Sequence, residues 1–164
     1  MEVQSNTDPT FPLIQSSRKN LLKLYLNDVG ILTSVLYKNN INAILGDENS
    51  ISLGSVYEST VAMQLASLGH SLFYYDNRHK GEVDFLIDDY NNLTVVPIEV
   101  KSGKDYTIHS VLNSLLDNAH SRIRMEIVLS NSGEIKRDGK ILHLPVYMAM
   151  LLKLSGEEPK KITL

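Results

Sequence analysis

The 164-residue chain contains no cysteine and no tryptophan. Without cysteine there is no disulfide, no thiolate nucleophile and no zinc finger, and the composition suits a reducing compartment. No apolar run approaches the roughly 18 residues of a membrane span. The N-terminus lacks the charged-then-apolar pattern of a leader peptide, so the expectation is a cytoplasmic protein without membrane contact. A basic excess is also lacking. The formal net charge is −3, whereas an autonomous nucleic-acid binder is basic, so any attraction for phosphate has to be local. The five histidines are scattered without metal-ligand spacing. Gly103-Lys104 and Gly139-Lys140 have Ile98 and Glu134 where a P-loop needs its earlier glycine, so the chain carries no ATPase site of that kind. What remains, 43% hydrophobic and 21% charged, is one globular domain's worth of core.

The most informative stretch runs from Glu82 to Lys101. Val83, Phe85 and Ile87 alternate with Glu82, Asp84, Leu86 and Asp88; Val96, Ile98 and Val100 alternate with Val95, Pro97, Glu99 and Lys101. A period of two describes two strands, each with one apolar face. Asn91-Asn92 suits the central positions of a tight type I′ turn, because asparagine tolerates positive φ. That turn pairs Val83 with Val100, Phe85 with Ile98 and Ile87 with Val96 on one face. On the other face it pairs Leu86 with Pro97, Asp84 with Glu99 and Glu82 with Lys101.

Cross-strand partners stand about 4.5–5.5 Å apart at Cβ, and like charges there are destabilising unless compensated. A divalent cation compensates, and carboxylate-plus-water ligation suits Mg²⁺, with Mn²⁺ as substitute. Lys101, two residues beyond Glu99 on the same face, is placed to stabilise charge on a phosphate or to help deprotonate an attacking water. The competing description is a solvent-facing strand surface with an exposed Glu82–Lys101 bridge worth under about 1 kcal/mol. A bulge at Pro97 would move Asp84 away from Glu99. Arg78-His79-Lys80, with Lys101 and Lys104, forms either a local phosphate-binding patch or a solvated loop. Tyr106 adjoins the same region.

Along the chain, residues 1–17 are polar and aperiodic and read as an arm or linker. Residues 18–154 read as one domain and residues 155–164 as a tail. Leu21, Leu22, Tyr25 and Leu26 have helical spacing that Asp28-Val29-Gly30 would stop. Short helices follow over 31–45, broken near Asn39-Asn40. A helix over 55–68 carries a Tyr57, Val61, Leu65 and Leu68 stripe and ends at Gly69. Ser55-Val-Tyr-Glu58 at its start has the form of a capping box. Strands are expected at 71–75, 124–130 and 140–144, the second parallel to the Glu99 strand because a helix over 107–120 separates them. Asn131 to Gly139 reads as a turn region, and a closing helix is expected over 146–154.

Asp84, a hairpin spacer and Glu99-Val-Lys101 resemble the core motif of the PD-(D/E)xK nuclease superfamily, with Val83 where the superfamily's name has proline. More narrowly, residues 54–101, with Glu-Val-Asp-Phe at 82–85 and Ile-Glu-Val-Lys at 98–101, resemble the DUF4143 domain. The likeness extends to Leu24-Tyr-Leu-Asn-Asp-Val-Gly30 and Leu144-Pro-Val-Tyr-Met148. The resemblance implies a restriction-endonuclease-like α/β/α core with a mixed sheet, here preceded by a short helical N-terminal segment. It also implies a place downstream of an AAA-type P-loop ATPase module, and a metal site of Asp84, Glu99 and Glu58 with Lys101 as the catalytic cation. Two functions follow as expectations: Mg²⁺-dependent hydrolysis of DNA, or a catalytically silent nucleic-acid- or protein-binding regulatory module of the ATPase.

Overall fold

The computed structural model of the chain describes residues 1–38, 40–46, 52–77, 81–102 and 123–153. The helix expected over 107–120, Tyr106, the basic residues Arg78, Lys80 and Lys104, and the tail lie outside the described residues.

Eight strands form one mixed sheet in the order β2-β1-β3-β4-β5-β6-β8-β7. They are β1 (Glu2–Asn6), β2 (Ser17–Leu24), β3 (Phe73–Asn77), β4 (Gly81–Asp89), β5 (Thr94–Lys101), β6 (Glu126–Ser130), β7 (Lys136–Asp138) and β8 (Ile141–Pro145). Helices α1 (Val29–Tyr37), α2 (Ile41–Leu45) and α3 (Gly54–Ser67) intervene between β2 and β3, and a 3₁₀ segment, Val146–Leu151, follows β8. The α/β class with a mixed sheet is as expected. β5 runs parallel to β6, and β6 parallel to β8.

The N-terminal expectations are corrected. Residues 1–17 are not an arm, because β1 pairs with β2 on one side and in parallel with β3 on the other. Val3, Ser5 and Asn6 are wholly buried. The Asn6 amide donates to the Leu13 carbonyl at 3.1 Å and to Ser16 Oγ at 2.9 Å. The Leu13 amide in turn donates to the Asp88 carboxylate at 3.1 Å, and Leu13 is itself fully buried. Burial of Asp88 pushes its carboxyl above the usual range, against the stabilising Leu13 amide.

The helix expected from Arg18 to Asn27 is replaced over its first part by edge strand β2, whose leucines lie largely exposed. Asp28 opens a helix instead of closing one: its carboxylate caps α1 by accepting the Ile31 amide at 3.0 Å. β7 was not anticipated; it arises inside the expected turn region and pairs antiparallel with β8.

Helix α3 packs Val61, Ala62 and Leu65 onto one face of the sheet, against Phe85, Ile87, Val96, Ile98, Ile127 and Leu129. Gly69, at φ +91°, supplies the left-handed residue that ends it. The opposite face holds a second cluster with Leu13, Phe73, Val83, Leu86, Val95 and Val128. Among the described residues no helix is long and apolar enough to cross a membrane.

If residues 1–17 belong to the core, Leu13→Ala lowers the stability measured by urea denaturation by about 2–5 kcal/mol. Ile14→Ala, at a neighbouring position 60% exposed, changes it by under about 0.5 kcal/mol. Equal, small effects would return the segment to the status of an arm.

Candidate functional site

The β4–β5 hairpin has the register read from its apolar residues: Phe85 faces Ile98, Leu86 faces Pro97 and Ile87 faces Val96. Its turn differs. The ladder closes at Asp89–Thr94, leaving four connecting residues, and Leu93, not an asparagine, takes positive φ. The Asp89 carboxylate holds this turn by accepting the Asn91 and Asn92 amides at 3.0 and 3.2 Å. Both turns are centred on the same point, so the pairing is unchanged.

The ladder stops short of the acidic residues. Opposite β3 the register slips between Phe73 and Tyr75, which pair with Leu86 and Val83. Three steps along β4 therefore match two along β3, the signature of a bulge at Asp84–Phe85. The bulge moves Val83 into the second cluster while Phe85 and Ile87 stay in the first. The single apolar face expected for Val83, Phe85 and Ile87 is thus divided. Asp84 does not pair across to Glu99. Its Oδ2 instead accepts the Val100 amide at 2.7 Å, in the place of a ladder carbonyl.

On the α3 side Asp84 meets Glu58 and Lys23. Glu58 makes no cap at the start of α3, where Leu53 is the N-cap residue without a side-chain bond. Its Oε2 accepts the Tyr25 hydroxyl at 3.2 Å. Burial, and then the neighbouring Glu58, push the Tyr25 phenol well above its ordinary value. Lys23, on β2, ion-pairs with Glu82 and lies 5.1 Å from the centre of the Tyr74 ring. Burial pulls its ammonium group down, yet Glu82, Glu58 and Asp84 outweigh that and hold it above the usual lysine value. Burial pushes the Asp84 carboxyl up to about 6; the Val100 amide and Lys23 oppose this, and Glu58 and Glu99 add to it.

Val96, Ile98 and Val100 point to the first cluster, so strand alternation sends Glu99 and Lys101 to the opposite face. There the two pair with each other. The Glu82–Lys101 bridge expected of an inert surface is replaced by Glu82–Lys23 and Glu99–Lys101. The structure therefore brings Glu58, Lys23 and Glu99 within electrostatic reach of Asp84 and pairs Glu99 with Lys101. Among the described residues no three His, Asp or Glu side chains converge closely enough to hold a metal ion.

Two participants escaped the sequence reading. Lys23 was assigned to a helix, which hid the face it presents. Glu126 interrupts the apolar run of β6 and is wholly buried; neither carboxylate oxygen has a hydrogen-bond partner among the described residues. Burial, then the nearby Glu99, push it up to about 8, against a smaller pull from Lys140. An acid inside a Met-Glu-Ile-Val-Leu run was the available signal.

Compared with known proteins, residues 53–148 match the family described as Domain of unknown function (DUF4143). No curated protein and no solved structure matches.

Because Glu126 binds its proton more tightly folded than unfolded, its contribution to stability is full below the unfolded value of 4.5 and is lost as the pH rises through about 8. Glu126→Gln removes that loss. Denaturant midpoints at pH 6 and pH 9 should show the wild type losing more than about 1 kcal/mol relative to the variant at the higher pH. Parallel profiles would contradict the buried neutral acid.

Proposed function

The chain belongs to the DUF4143 family, and from that premise we propose that it is a nuclease-derived, catalytically silent binding module that serves an AAA-type P-loop ATPase. One observation carries this reading: Lys23 stands among Glu82, Glu58 and Asp84 and supplies the counter-charge that a metal ion provides in a working PD-(D/E)xK site. The eight-stranded mixed sheet, with α3 on one face and the acid-bearing hairpin at its centre, is compatible with a restriction-endonuclease-like ancestry. Fold alone carries no activity.

The charge arrangement agrees. A phosphate approaching Asp84 meets carboxylates on α3 and β4 with one lysine already engaged, and the chain as a whole is negative. The basic residues expected to grip nucleic acid, Arg78, Lys80 and Lys104, lie outside the described residues.

The second reading is Mg²⁺-dependent hydrolysis of DNA by Asp84, Glu99, Glu58 and Lys101. It is favoured by the mutual influence of the three carboxylates, which leaves Asp84 raised to about 6. It requires Glu99, here paired with Lys101, and Asp84, here holding the Val100 amide, to turn to one ion.

Calorimetry with millimolar Mn²⁺, alongside cleavage assays on plasmid and single-stranded DNA, separates the two. The expected result is no binding and no cleavage by the wild type, and Mn²⁺ binding gained in Lys23→Met, where the acids lose their ammonium group. Metal binding and cleavage by the wild type, both lost in Asp84→Ala and Lys101→Ala, would establish the nuclease and end the silent-module reading.

A further inference from the structure

Beside Lys23 and Glu58 the surface opens into a cleft of about 350 Å³ between the end of β2, α1 and α3. Its polar lining includes Lys23, Tyr25 and Glu58 beside two serines of α3, and its apolar walls are Leu24, Leu26 and Leu32. The apolar character continues outward. Leu24 is 75% exposed, Leu26 48%, and on α1 Ile31 57% and Val35 68%, while no residue of α1 is buried. Such a contiguous leucine-rich rim around a polar floor is the usual form of a protein-docking surface.

Charge selects the occupant. Lys23 and Glu58 line the cleft, and behind them Glu82, paired with Lys23, and Asp84 add two further carboxylates, so the local field favours a positive group and repels phosphate. Among the described residues the Glu58 carboxylate accepts one side-chain hydrogen bond, from the Tyr25 hydroxyl on Oε2. A planar guanidinium pairs well with such a carboxylate, and an arginine stem covers apolar surface as it enters.

We infer that this cleft receives an arginine side chain presented by an amphipathic, leucine-rich helix of a protein partner, whose apolar residues cover Leu24, Leu26 and the outer face of α1. The helix packs on α1 through Ile31 and Val35, which lie one turn apart on the same side. This rests on the reading of the domain as a silent binding module and names the class of its partner.

The test is fluorescence anisotropy with the intact chain and three labelled probes: an amphipathic leucine–arginine helical peptide, the same peptide with each arginine replaced by glutamate, and a short DNA duplex. The arginine peptide should bind roughly tenfold or more tightly than the glutamate peptide, and the duplex should not compete. Glu58→Gln should reduce the preference between the two peptides. Val35→Ser, at an exposed position that leaves the core intact, should weaken the arginine peptide without altering thermal stability. Equal binding of both peptides, or a preference unchanged in Glu58→Gln, would overturn the inference while the silent-module reading stands, provided no DNA is cut. Cleavage of DNA by the same preparation would instead remove the premise.

Discussion

The arrangement of the site depends on one hydrogen bond, from the Val100 amide to the Asp84 carboxylate across the point where β4 and β5 part. A bond from a backbone amide to an ionised acid contributes about 1.5–3 kcal/mol. That is enough to hold a half-buried carboxylate where a ladder carbonyl would otherwise be. It requires the bulge, since without the extra residue opposite β3 Asp84 would project across the sheet and Val100 would seek a regular partner. The bulge in turn keeps Phe85 and Ile87 in the α3 cluster while releasing Val83 to the other. One local irregularity therefore decides both which core each strand residue enters and what the acid can reach.

The hairpin register was legible because its information is local and redundant: several apolar pairs agree, and a one-residue slip would expose all of them. It survived a wrong turn type for the same reason. The N-terminal region was not legible because its information is distant. β1 is held by β3, whose Phe73, Tyr74 and Tyr75 pair in parallel with Gln4, Ser5 and Asn6, and nothing in a polar aperiodic segment announces that partner. β2 is an edge strand exposed along most of its length. It has no buried face to impose alternation, and its leucine spacing imitates a helix.

The candidate site was half legible for a related reason. Carboxylates on strands are conspicuous in a sequence, and Asp84, Glu99, Lys101 and Glu58 all occupy the elements expected of them. Their directions are another matter. The bulge at Asp84 breaks the period of two on which the same-face argument rested, while β5 keeps it. The capping box failed because α3 begins at Gly54 with Leu53 as its N-cap, which puts Ser55 inside the helix, and Glu58 accepts instead the Tyr25 hydroxyl, delivered from just beyond β2. Lys23 enters the site from a strand, and Tyr25 from just past its end, in a stretch that local pattern reading mistook for a helix, so the counter-charge went unseen together with its element.

Crowded acids inside a fold have three remedies: protonation, a metal ion, or a neighbouring cation. Glu126, deep in the sheet, takes the first, with its carboxyl held at about 8 by burial. The group around Asp84 takes the third, and the choice has consequences. A metal ion is removable and chemically active, whereas a lysine on a strand is neither; it is held by its ion pair with Glu82 and by the neighbouring acids. The same lysine does not neutralise the group, because three carboxylates act on it. Part of the residual negative charge, that of Glu58, lines a cleft whose other walls are largely leucine, the setting on which the proposed recognition of a positive side chain rests. On the proposed reading, one ammonium group placed among such carboxylates is what turns an acidic cluster from metal ligation to protein recognition without changing the acids themselves.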